Sequence, residues 1–128
     1  MRVLLDTKAL IWWHESPEKL SSVVRTALED DGNEVFMSVA NAWEMQIKTQ
    51  LGKLTLSKPW DDIIEAEQAS NGFGFLVADR PHIRILDTLP FHHRDPFDRL
   101  LIAQAIYENL TLISNDLKFP SYPVTLLW

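Results

Sequence analysis

Five short apolar runs, at residues 3–5, 35–37, 73–77, 110–113 and 124–127, limit what this chain can fold into more than any other feature. Each is short for a helix but long enough for a strand. They are close to continuously apolar rather than alternating, the pattern of strands covered on both faces. Helical signals fill most of the gaps, over residues 7–14, 20–30, 39–51, 59–70, 80–86 and 96–109. Ser38 stands where a helix beginning at Val39 needs an N-cap, Lys58-Pro59 is followed by Asp61 and Asp62 in a first turn, and Asp95-Pro96 is followed by Asp98. Strands alternating with helices predict an α/β fold around a mainly parallel sheet. The run Glu29-Asp30-Asp31-Gly32-Asn33-Glu34 reads as a turn, and no linker, repeat or low-complexity tract divides the 128 residues, so one domain over 1–128 is expected.

Composition removes several kinds of function. The chain has no cysteine, which excludes thiolate metal sites, iron–sulfur ligation and a cysteine nucleophile, and fits a reducing, cytoplasmic setting. Metal ligands are then confined to oxygen and imidazole. No apolar stretch approaches the roughly 20 residues of a membrane span, and Asp6 and Lys8 interrupt the N-terminus too early for a signal peptide. Eighteen Asp and Glu against twelve Lys and Arg give a net charge of −6. That speaks against nucleic-acid binding through a broad basic face, but not against a nucleic-acid enzyme whose acids are neutralised by metal ions. There is no Gly-x-x-x-x-Gly-Lys loop for nucleotide phosphates, and Gly72-Phe73-Gly74 lacks the third glycine of a dinucleotide loop.

The acidic residues fall in a pattern. In open parallel sheets, sites form beyond the carboxyl ends of the strands. Asp6 directly follows the first apolar run, Ser38 the second, and Asp116 comes just after Ser114-Asn115 behind the fourth. Asp6 also suits a plain capping role for a helix starting near Thr7. On the 39–51 helix, Ala40, Glu44, Ile47 and Leu51 share one narrow stripe, which sets a carboxylate in an apolar face. Such a group needs a metal, a proton or a cation, and Lys48, four residues on, is the alternative partner. Asp98 shares a face with Leu101, Ile102 and Ala105, although as the N3 residue behind Asp95 and Pro96 it would also favour the positive helix end. Four carboxylates in one cleft repel unless cations or protons compensate. As hard oxygen ligands they select Mg²⁺ or Mn²⁺, and the chemistry such sites serve is in-line phosphoryl displacement.

Leu4-Leu5-Asp6-Thr7 with Leu10-Ile11-Trp12-Trp13, Ser38 with Ala42-Trp43-Glu44 and Leu51-Gly52-Lys53-Leu54, the block His93-Arg94-Asp95-Pro96-Phe97-Asp98-Arg99-Leu100-Leu101-Ile102-Ala103-Gln104-Ala105, and Leu110-Thr111-Leu112-Ile113-Ser114-Asn115-Asp116 together resemble the PIN-domain ribonucleases of the VapC toxin type. The likeness runs nearly end to end, to Leu127-Trp128. It implies a three-layer α/β/α sandwich and a Mg²⁺- or Mn²⁺-dependent endoribonuclease. It places Asp6, Glu44, Asp98 and Asp116 at the catalytic, metal-holding positions. It further implies RNA as substrate, a homodimer, and a cognate antitoxin that silences the enzyme. Lys8 stands where relatives often carry His, and Asn41 where a small residue is frequent.

The other signals leave alternatives open. Lys8 could contact a phosphate or be a solvated lysine; Ser38 and Ser114 could orient an acid, or Ser38 could only cap. His92-His93 reads as a structural pair in a loop before a proline helix. The tryptophans are expected mostly in the core or a dimer interface. A phosphatase is disfavoured because Asp6-Thr7-Lys8 lacks a second acid, and the alternative outside enzymes is a non-catalytic PIN-like protein-interaction module.

Overall fold

The central strand is the first of the five in sequence. In a computed structural model describing residues 1–128, β1 (Arg2–Leu5) is flanked by β2 (Glu34–Ser38) and β4 (Thr111–Ile113), with β3 (Gly74–Leu76) and β5 (Leu126–Leu127) at the edges, giving the order β3-β2-β1-β4-β5. Every pairing is parallel, so the mainly parallel sheet expected from the sequence is wholly parallel. Val3, Leu4 and Leu5 are all fully buried. Val3 and Leu5 join one core and Leu4 joins the other, which is why β1 reads as an uninterrupted apolar run.

Six helices cover the two faces. α1 (Thr7–Glu15), α2 (Ser22–Glu29) and α4 (Trp60–Asn71) bury Ala9, Leu10, Val24, Leu28 and Ile64 on the Val3 side. α5 (Arg80–Thr88) and α6 (Pro96–Glu108) lie on the Leu4 side, where Leu101, Ile102 and Ala105 meet Leu112. α3 (Val39–Gln50) serves both, with Ala40 in one core and Met45 in the other. The result is the α/β/α sandwich.

Boundaries follow local chemistry. The stretch expected as one helix over 20–30 starts only at Ser22, capped by the Ser21 hydroxyl, and a 3₁₀ turn at Pro17–Lys19 precedes it. α4 begins after Pro59 and closes on Gly72, whose φ of 65° is the left-handed conformation that costs glycine least. The last strand is two residues long rather than four. Leu51 falls beyond α3 and is 60% exposed, so the apolar stripe through Glu44 is one residue shorter than its periodicity predicted. No helix is long and apolar enough to cross a membrane.

Candidate active site

β1 and β4 pair with Leu5 opposite Ile113, and the Asp6 N–H bonds to the Ile113 carbonyl at 3.1 Å. The two chain segments therefore leave the sheet side by side, and Asp6 and Asp116 emerge at one edge although 110 positions separate them in sequence. α3 packs against both α1 and α6 and carries Glu44 to the same place; α6 starts there and brings Asp95 and Asp98. These five acids, with Thr7, Lys8 and Lys48, line a cleft of about 160 Å³ that has no apolar wall. Five carboxylates against two lysines leave three formal negative charges uncompensated.

Each acid is steadied by the chain. Asp6 accepts the Ala9 N–H at 2.8 Å, the capping bond that starts α1. Burial pushes its carboxyl up to about 6; the Ser114 hydroxyl, the Ala9 N–H and the Lys8 charge oppose this, and the Glu44 charge adds to it. Ser114, next to Asp6, accepts the Asp116 backbone N–H at 3.1 Å, which fixes the chain where Asp116 leaves the sheet. Glu44, buried, takes a hydrogen bond from Lys48 on one oxygen. Burial alone would lower the Lys48 ammonium, but the bond and charge of Glu44, with the charges of Asp95 and Asp98, hold it above its ordinary value. Asp98 Oδ2 lies at hydrogen-bond distance, 3.1 Å, from His93 Nε2, and Asp116 accepts the Lys118 N–H at 2.9 Å. Burial first, then the charges of Asp95, Glu44, Asp116 and Asp6, push Asp98 up to about 8.

On Glu44, Asp98 and Asp116 the second carboxylate oxygen receives no donor from the chain. The donor set is all oxygen, uncommitted on one side and short of positive charge, which fits a hard divalent cation. With Glu44 drawn to Lys48 and Asp98 to His93, no three Asp, Glu or His side chains converge on one point closely enough to hold an ion in this arrangement. The fit is therefore one of donor chemistry and charge, not of a finished coordination shell.

The alternatives raised by the sequence resolve individually. Asp6 does cap, Glu44 does pair with Lys48, and Asp98 does sit in the first turn of α6; all three nonetheless face the cleft. Ser38 caps α3, is fully buried against Gln104 and takes no part in the cleft, whereas Ser114 accepts the Asp116 backbone N–H and lowers the Asp6 carboxyl against the effect of burial. Lys8 lines the cleft with its ammonium 5.1 Å from the Trp12 ring centroid. His92 stacks edge-on against Tyr122, and only His93 reaches an acid. Asn41 is fully buried. It accepts the Ser38 N–H and donates to the Leu5 carbonyl and the Thr7 hydroxyl, locking α3 to the residues on either side of Asp6. Asp95 carried only a capping signal in the sequence, and its place in the cleft follows from the way α6 is aimed.

A parallel α/β/α sandwich with an acid-lined cleft at the carboxyl end of its strands belongs to the class of folds that bind ligands at that edge. The chain matches the PIN domain over residues 3–124 and belongs to the PIN domain family. Its fold is similar to those of VapBC2 from Rickettsia felis bound to a DNA fragment from its promoter (18% identical, 99% of this chain and 98% of that one, TM-score 0.75) and FitAcB from Neisseria gonorrhoeae (19%, 98% and 96%, TM-score 0.64). It is also similar to VapBC-5 from Mycobacterium tuberculosis, a member of the VapBC family of toxin-antitoxin systems (14%, 98% and 95%, TM-score 0.60). At such identities the likeness is one of fold. No curated protein matches the sequence.

Proposed function

We propose that this PIN domain is a Mg²⁺- or Mn²⁺-dependent endoribonuclease and the toxin of a toxin–antitoxin pair, acting in the cytoplasm. The observation that carries the reading is the gathering of Asp6, Glu44, Asp98 and Asp116 in one polar cleft with oxygens left uncommitted. These four side chains would hold the metal, which when bound supplies charge neutralisation and Lewis acidity for phosphodiester hydrolysis. The chain's own contribution is placement. Ser114 holds the Asp116 backbone, the α1 cap fixes one oxygen of Asp6, and Lys8 stands at the cleft wall as a cation for a substrate phosphate. RNA as substrate, a homodimer and an antitoxin that sends a basic side chain to the acids belong to the same reading.

The pairing of Glu44 with Lys48 and the capping by Asp6 are also what a non-catalytic interaction module would show. Asp98→Asn separates the two. It replaces, at nearly constant shape, a carboxyl whose ionised form burial and neighbouring charges disfavour, so a metal-holding Asp98 predicts that RNA cleavage in Mn²⁺ is abolished while the metal-free melting temperature stays or rises, because the asparagine has no charge to suppress on folding. A capping acid alone predicts a stability loss of a few tenths to ~1 kcal/mol. An Asp98→Asn protein that cuts RNA at the wild-type rate, or a wild-type protein that cuts no RNA with either metal, would sink the assignment.

A further inference from the structure

The orientation of Asp98 traces to a buried relay that runs away from the cleft. His93, with its side chain only 7% exposed, has Nε2 at 3.1 Å from Asp98 Oδ2 and Nδ1 at 2.7 Å from the Tyr122 hydroxyl. The Tyr122 oxygen already accepts two donors, the His93 backbone N–H at 3.1 Å and Arg99 Nη1 at 3.4 Å. Its hydrogen is then left to donate; two acceptors are in reach, Nδ1 at 2.7 Å and the His93 carbonyl at 3.4 Å, and the much shorter contact assigns it to Nδ1. Nδ1 accepts, so the proton of the neutral ring stands on Nε2, where it points at Asp98. Arg99 is fixed in turn by the carbonyls of Pro90 and Leu89, at 2.7 and 3.1 Å, and Tyr122 is buried in the core.

We propose that His93 is a positioning residue for the metal site: held in its Nε2–H tautomer by Tyr122 and Arg99, it donates to Asp98 Oδ2 and leaves the other oxygen turned to the cation. This rests on the metal-dependent reading given above. At metal sites generally, partners behind the ligands set ligand orientation, and their loss costs roughly 10–100-fold in metal affinity. Here the partner is a donor, so it orients without competing for charge. A His that only filled space beside Phe119 and Tyr122 would have no effect on metal uptake.

The test is Mn²⁺ binding measured by titration calorimetry on the whole protein, with melting of the metal-free form measured alongside. His93→Gln keeps an N–H close to the position of Nε2 and should bind Mn²⁺ within about threefold of wild type, whereas His93→Ala should lose roughly 10–100-fold. Tyr122→Phe leaves the imidazole free to shift its proton to Nδ1 and should weaken binding in the same direction by a smaller factor. Equal Mn²⁺ affinity in wild type and His93→Ala overturns the proposal, and so does a loss in His93→Gln as large as in His93→Ala. If His93→Ala does not fold, the comparison of His93→Gln with Tyr122→Phe decides. A wild-type protein that takes up no Mn²⁺ overturns the functional reading itself, a result distinct from either.

Discussion

Asp98 is held far above the ordinary carboxylate range by burial and by its neighbours, and that has a measurable consequence without any substrate. Its carboxyl, pushed up to about 8 from 3.8, keeps a proton that the unfolded chain has already released. Between those two values the native state binds more protons than the unfolded state, so raising the pH favours unfolding. Asp6, pushed up to about 6, acts in the same sense over a lower window. Metal-free protein should therefore melt at a lower temperature at pH 8.5 than at pH 6, and Asp98→Asn should flatten the upper part of that slope. Scanning calorimetry at the two pH values decides it; a melting temperature that rises across the interval contradicts the electrostatics described here. Mn²⁺ competes with the same protons, so its apparent affinity should increase over the same span. Single residues were also where the sequence was least legible. Periodicity set Glu44 in an apolar stripe and offered Lys48 as its partner; the pairing holds, while the carboxylate lines a cleft without hydrophobic residues. Nothing in the order His92-His93 told which ring would reach an acid, because that choice is made by Tyr122, 29 positions away.

At the level of elements the sequence was informative, because strand and helix signals here are local and physically independent. The run at residues 3–5 had to be doubly covered, and Asp95-Pro96 had to begin a helix, whatever surrounded them. Element ends were read less well, since they depend on neighbours: β5 keeps only the two residues that pair with β4, and the helix expected from residue 20 starts only at Ser22, behind a 3₁₀ turn over 17–19. What no local signal contained was the role of Asn41. It was noticeable only as an unusual residue for its position, yet it closes the capping box of α3 and ties that helix to Leu5 and Thr7. Asn41→Ala would strand the Ser38 N–H, the Leu5 carbonyl and the Thr7 hydroxyl inside the protein. At ~1–3 kcal/mol for a buried polar group left unpaired, with partial relaxation, the expected loss is about 2–3 kcal/mol in a urea unfolding experiment. A change below about 0.5 kcal/mol, the level of ordinary surface substitutions, would show that α3 is seated by its apolar face alone.

For the molecule as a whole, the functional reading makes two claims about company. Light scattering of the isolated protein should give twice the mass of the 14.8 kDa chain, and an acid-lined cleft closed by an antitoxin's basic side chain should retain that partner through purification. A monomer that keeps no partner counts against both. The strand order carries a further consequence, concerning time rather than shape. β1 lies at the middle of the sheet, but one of its two neighbours, β4, comes from residues 111–113. During synthesis the first strand must wait, half-paired with β2, until residues 111–113 have been made. Pairing across so long a loop is slow even then. Asp6 and Asp116 stand at the two sides of that final closure. A ribosome-bound fragment that stops short of Asp116, however well its earlier helices have formed, holds an incomplete set of acids, and whatever the finished cleft does begins only once β4 and Asp116 have been made and paired.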